Sequence, residues 1–149
     1  MLSLSKTIAC FVLALFLVAL IILGATLIST MGIGQALNVE LAWQILLQYV
    51  LATAHKLGVV AIILALIYHY TPPSLPRFVL TVALAFPIGA LYNYIQLVLM
   101  ESSANEQLAT MSTGQIFQAF LIYYGMMAAL LAFIGGLLCK YLEKRQLKK

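Results

Sequence analysis

The 149-residue chain is poor in charge: only 8% of its residues are Asp, Glu, Lys or Arg, and there is no Asp at all. A soluble domain usually carries about 25% charged residues. Because Asp and Glu together number 4, the chain has little material for acid–base catalysis by a pair of carboxylates. The composition therefore argues against a soluble domain and against that class of enzyme.

Motifs that mark common cofactor sites and nucleophiles are also missing. There is no P-loop, G-x-G-x-x-G, H-E-x-x-H or G-x-S-x-G pattern. Cys10 and Cys139 form no C-x-x-C pair, so a redox relay is not expected. His55 and His69 belong near opposite faces of a membrane span, so we expect no metal site and no cofactor. Whether the protein is an enzyme stays open, with the balance against one.

Long apolar runs take the place of charge: 64% of the residues are hydrophobic, and the mean hydropathy is +1.08. A bilayer core about 30 Å thick is crossed by roughly 20 apolar residues in a helix. Runs of this length are separated by glycine-rich, proline-rich and polar connectors. The sequence predicts an all-α transmembrane four-helix bundle in one domain, 1–149, with spans at about 7–30, 45–70, 77–100 and 115–139 and a basic tail at 140–149.

Seven of the eight basic residues lie on one side of these spans, and three of the four acidic residues lie on the other. The acidic loop residues are Glu40, Glu101 and Glu106, and the basic residues on the other side are Lys6, Arg77, Lys140, Lys144, Arg145, Lys148 and Lys149. The positive-inside rule then predicts that both termini are cytoplasmic. Short loops and a short basic tail favour the bacterial cytoplasmic (inner) membrane. A basic cluster directly after a span favours contact with anionic lipid, and no nucleic-acid partner is expected.

Lys56 is the basic residue inside an apolar run, where a charge is costly enough to mark a candidate functional site. If Tyr49 and Tyr68 frame the span, Lys56 lies about 10 Å below the outer interface and can extend towards water. If the span begins at Trp43, Lys56 lies about 20 Å deep and needs a carboxylate or carbonyl partner or a lowered pKa. The candidate carboxylates are Glu40, Glu101 and Glu106. The sequence leaves both interpretations open.

Other polar side chains are expected at a similar depth, in the outer third of the bundle. Gln44, Gln48 and His55 share one helical face by their spacing, and so do Asn93 and Gln96. One interpretation is simply that helix ends are polar and form a few interhelical hydrogen bonds. The other is an outward-facing polar pocket, with the candidate binding residues Gln44, Gln48, His55, Lys56, Asn93, Gln96, Glu101 and Gln118.

Stripes of small residues predict close helix contacts, because small side chains let helix backbones approach each other in lipid. They are Ala54, Gly58, Ala61 and Ala65 on the second helix, and Ala128, Ala132 and Gly136 on the fourth. Packing within the bundle and contact with another subunit both remain open.

Together these features predict a non-enzymatic subunit of a membrane complex, which binds another membrane protein or a second copy of itself. Its polar pocket would face that partner, an anion or a lipid headgroup. The alternative is a small oligomeric transporter or channel in which His55 and Lys56 bind an anion or relay protons. A further alternative is a membrane enzyme that acts on lipid at the outer face with Lys56, His55 and Glu101.

Overall fold

The computed structural model describes residues 2–30, 39–72, 75–99 and 113–146, and these ranges confirm the predicted helical fold. The helices are α1 (Leu4–Thr30), α2 (Val39–Tyr70), α3 (Arg77–Leu99) and α4 (Thr113–Gln146). Each of them contains a segment long and apolar enough to cross a membrane. Helix α4 extends beyond the predicted span, so residues 140–146 of the predicted tail are helical.

The proline-rich connector between α2 and α3 explains why α2 ends at Tyr70. Pro72 has no backbone N–H and disfavours a helical conformation in the residue before it. Thr71 closes the last turn instead, since its backbone N and its Oγ1 donate to the Ile67 carbonyl oxygen at 3.0 and 2.6 Å. The next helix starts after Pro76, whose carbonyl accepts the first helical bond from Leu80 N at 2.9 Å. The short connector makes α2 and α3 antiparallel.

The four helices pack side by side in a ring. The largest contact joins α3 and α4, α1 packs against α2 and α4, and α2 contacts α3 more lightly. Phe11, Leu57, Leu64 and Leu131 are fully buried at the centre. We call the end of the bundle that carries Lys6, Arg77 and Lys140 the basic end, and the opposite end the far end.

Small residues occupy the closest helix contacts. A Cβ atom placed on Gly89 of α3 would lie 2.5 Å from Ala128 Cβ and 2.8 Å from the Tyr124 carbonyl oxygen of α4. At the basic end, a Cβ on Gly136 would lie 2.7 Å from the ring of Phe78. Of the predicted stripes, the residues buried in the bundle are Ala61, Ala65, Ala128, Ala132 and Gly136, whereas Ala54 is exposed and Gly58 is partly exposed.

The substitution Gly89→Ala should destabilise the bundle, because the new methyl group would press on α4 backbone that cannot move aside. Overpacking of this kind costs about 1 to 3 kcal/mol, which unfolding in mixed detergent micelles would measure. Gly24→Ala is the matched control: outside its own helix, no described atom lies within 4 Å of the added Cβ. The control should be neutral or slightly stabilising, since Ala favours helix over Gly. Equal stability of the two variants would contradict the tight α3–α4 contact.

Candidate functional site

A cavity of about 220 Å³ lies among α1, α2 and α4 in the half of the bundle nearer the far end. Its volume is below that of pockets for drug-sized ligands, which are about 300 to 1,000 Å³. It therefore suits a small chemical group, such as the headgroup of a larger molecule. The lining residues combine apolar and hydroxyl-bearing side chains with one lysine: Ile22, Tyr49, Ala52, Thr53, Lys56, Leu57, Tyr123, Tyr124 and Met127.

Helix α2 supplies the polar side of this cavity. Tyr49, Thr53 and Lys56 follow one another at offsets of four and three, which places them on one helical face. Thr53 is buried and Lys56 is partly buried. None of the described side chains forms an ion pair with the Lys56 amine. The ion pair that the described residues do contain joins Arg77 and Glu143 at the basic end. Lys56 is thus a basic residue in the cavity lining for which the described part of the chain provides no ion-pair partner.

Tyrosines from α4 complete the wall opposite Lys56. The rings of Tyr123 and Tyr124 meet edge to face, with centroids 5.0 Å apart. The Phe120 ring also packs on Tyr124, at a centroid distance of 5.0 Å. Each tyrosine adds an apolar ring and a hydroxyl that can donate a hydrogen bond. The ring contacts hold these hydroxyl-bearing groups in a defined arrangement beside the lysine.

Asn93 of α3 holds the turn of α2 that carries Lys56. It is fully buried, and its Nδ2 donates to the Lys56 carbonyl oxygen at 3.3 Å and to the Gly89 carbonyl oxygen at 2.9 Å. No described group hydrogen-bonds its Oδ1. Asn93 does not line the cavity. Its contribution is to fix the backbone of α2, and so the position from which the lysine side chain extends.

The structure brings together only some of the residues predicted for the polar pocket. Lys56 lines the cavity and Asn93 binds its backbone, whereas Gln96 Nε2 donates to Tyr92 Oη on its own helix at 2.8 Å. Glu101 lies outside the described residues. The remaining predicted residues are exposed and do not line the cavity: Gln44, Gln48, His55 and Gln118.

The prediction from sequence omitted Tyr49, Thr53, Tyr123 and Tyr124 from the site. The spacing of Tyr49, Thr53 and Lys56 was a usable signal, because it indicates one shared helical face. Nothing in the sequence indicated that this face, rather than the face of the glutamines, turns towards the bundle.

A second polar group lies at the basic end. Arg77 Nη1 lies 3.8 Å from Glu143 Oε1, which links the start of α3 to the end of α4. The free thiols of Cys10 and Cys139 are buried in the same half of the bundle. Across the described residues, no group of three or more His, Cys, Asp or Glu side chains could hold a metal ion. These contacts join helix ends, and none of these residues lines the cavity beside Lys56.

Comparison of the chain with known protein families, with characterised proteins and with solved structures gives no match. The function proposed below therefore depends on the geometry and chemistry of the cavity.

Replacing Asn93 by Ala should lower the free energy of unfolding by about 1 kcal/mol, since an interhelical hydrogen bond of this kind contributes about 0.6 to 1.7 kcal/mol in membrane proteins. Unfolding in mixed micelles would measure the change. Gln118→Ala is the control, because Gln118 is exposed and should change stability by less than about 0.5 kcal/mol. An Asn93→Ala variant as stable as the control would show that the bond to α2 contributes nothing.

Proposed function

We propose that this chain is a non-enzymatic subunit of a membrane assembly and binds the anionic headgroup of an amphiphile in the cavity beside Lys56. The observation that carries the proposal is the lysine itself. It lines a mostly apolar cavity and has no ion-pair partner among the described side chains. An anion in the cavity would supply that partner.

The chemistry of the walls favours an anion attached to an apolar chain. A charge pair is stronger in an environment of low dielectric constant than in water, provided that hydrogen bonds also compensate the loss of hydration. Tyr49, Tyr123 and Tyr124 line the cavity, and a tyrosine hydroxyl can donate such a bond. Ile22 and Met127 offer apolar surface to a hydrocarbon chain. A phosphate or carboxylate headgroup would suit the lysine and the tyrosine hydroxyls, and its acyl chain would suit the apolar side chains.

Binding is better supported than conduction. Towards the basic end from the cavity, the centre of the bundle is filled by the fully buried side chains of Val60, Leu64 and Leu131. An ion or a proton would need polar groups or water to cross such a layer. The described residues provide no row of buried polar side chains that would link the site to the basic end.

The proposed setting is the bacterial cytoplasmic membrane, with both termini and the basic end in the cytoplasm. Four long apolar helices support insertion, and the placement of the basic residues supports the orientation. The cavity would then open in the outer half of the bilayer.

The orientation predicts the behaviour of reporters fused to the C-terminus. A reporter that works only in the cytoplasm should be active, and one that works only outside should be inactive, because the basic residues near the C-terminus resist translocation. Enzyme assays on cells expressing each fusion would measure this. Activity of the external reporter alone would contradict the orientation.

The ligand proposal predicts that Lys56→Gln weakens binding of phosphatidylglycerol about tenfold, equal to about 1.4 kcal/mol. The loss follows from removing the charge while keeping a polar side chain of similar length. Native mass spectrometry of the protein in a neutral detergent, titrated with this lipid, would give the affinities.

Lys140→Gln is the matched control, because it removes the same charge from an exposed position at the basic end. Its affinity should stay close to that of the unaltered protein. Inorganic phosphate is the second probe: if it binds as tightly as the lipid, the site recognises a free anion and needs no acyl chain. Equal affinities of the Lys56→Gln and Lys140→Gln variants would refute a headgroup site at Lys56.

A further inference from the structure

A polar stripe runs along the surface of α2 that faces away from the other helices. Its members are Gln44, Gln48 and His55, all of them exposed. At 3.6 residues per turn these side chains leave the helix within about 40° of one another. The buried residues Thr53, Leu57 and Leu64 occupy the other side of the same helix. The stripe is therefore separate from the core of the bundle.

In a bilayer the lower part of this stripe would face hydrocarbon. His55 lies six residues beyond Tyr49, about 9 Å further along α2. A polar side chain in hydrocarbon is costly when no hydrogen bond compensates it. Polar residues in transmembrane helices almost always face the interior of a bundle or a polar partner. The exposure of His55 at this depth indicates that a polar partner covers this end of the stripe.

We propose that the stripe is the contact surface for a second copy of this chain, which packs α2 against α2 about a two-fold axis along the membrane normal. This inference rests on the proposed membrane insertion, and it does not depend on what the cavity binds. A two-fold axis in that direction places each residue at the same depth as its own copy, so the same patch meets itself. Gln48 would lie beside Gln48 of the second copy.

The stripe is chemically suited to meet itself. A glutamine side chain carries both a hydrogen-bond donor and an acceptor, and a neutral histidine ring carries one of each. Two identical stripes can therefore form hydrogen bonds with each other, whereas a stripe of lysines or of carboxylates would repel its copy. The members of the stripe include no Lys, Arg, Asp or Glu. A second copy thus fits without any compensating charge.

The surroundings of His55 offer apolar contacts and one open position. Leu51 and Val59, one turn before and one turn after His55, are exposed on the same face and offer apolar surface to a neighbouring helix. One turn beyond His55, a Cβ atom added to Gly58 would have nothing within 4 Å, so no helix of this bundle uses the space beside that glycine. Small residues at such a position let two helix backbones approach in lipid. The second helix that fits there is the α2 of another copy.

Cysteine cross-linking in native membranes tests the contact directly. A disulfide forms only when Cα atoms come within about 7 Å, so Gln48→Cys should give a product of twice the 16.3 kDa chain mass under mild copper–phenanthroline oxidation. Ile122→Cys is the control: Ile122 of α4 is 57% exposed and should not cross-link. The unaltered chain is a second control, since Cys10 and Cys139 are buried.

A product of any other mass would show a different partner and overturn the proposal. Equal cross-linking at Gln48→Cys and Ile122→Cys would indicate random collision, and the absence of a product at Gln48→Cys would indicate no contact. Both results would also overturn it.

A second measurement uses variants that keep the bundle intact. Light scattering in mild detergent should give twice the chain mass for the unaltered protein and for Gly24→Leu, a position on α1 where an added Cβ likewise has no described neighbour outside its own helix within 4 Å. The mass should halve for Gly58→Leu and for the double variant Gln48→Leu with His55→Leu. An unchanged mass in these variants, or a monomeric unaltered protein, would refute the α2–α2 contact. Retention of each variant in carbonate-washed membranes separates these results from a failure of membrane insertion.

Discussion

The close approach of α3 and α4 at Gly89 is the contact on which the cavity depends. With no side chain at Gly89, the helices approach until a Cβ there would lie 2.8 Å from the Tyr124 carbonyl oxygen. That approach sets the position of Tyr124, a wall of the cavity. One turn further along α3, Asn93 donates to the Gly89 carbonyl and to the Lys56 carbonyl. A single small residue thus helps to position both the tyrosine side and the lysine side.

Neighbouring residues on α2 have opposite environments. Lys56 lines the cavity inside the bundle, whereas His55 is exposed on the outer surface. Successive residues of a helix lie about 100° apart, so a single turn can serve both an interior site and an external surface. Under the two proposals, Lys56 would meet an anion and the neutral polar groups would meet another helix. This division fits the chemistry of each group, since a charge costs more than an amide in hydrocarbon.

Hydropathy alone predicted the four helices, because length and apolar composition determine which segments can cross a bilayer. The site was only partly predictable. Spacing showed that Gln44, Gln48 and His55 share a face, but spacing cannot show whether a face turns inward or outward when a helix is apolar all round. The rotation of α2 is set by contacts such as those of Leu57 and Leu64, which are fully buried. These contacts can be identified only when the positions of the neighbouring helices are known.

The packed layer of Val60, Leu64 and Leu131 has a consequence for the energy supply of a cell. A cytoplasmic membrane stores work as a voltage, at about 2.3 kcal/mol per elementary charge for each 100 mV. A cavity that opened through the whole bundle would let ions flow across the membrane and dissipate that voltage. In the proposed orientation these aliphatic side chains act as electrical insulation between the lysine cavity and the cytoplasm. The protein could then exchange a charged ligand at one surface of the membrane without leaking ions across it.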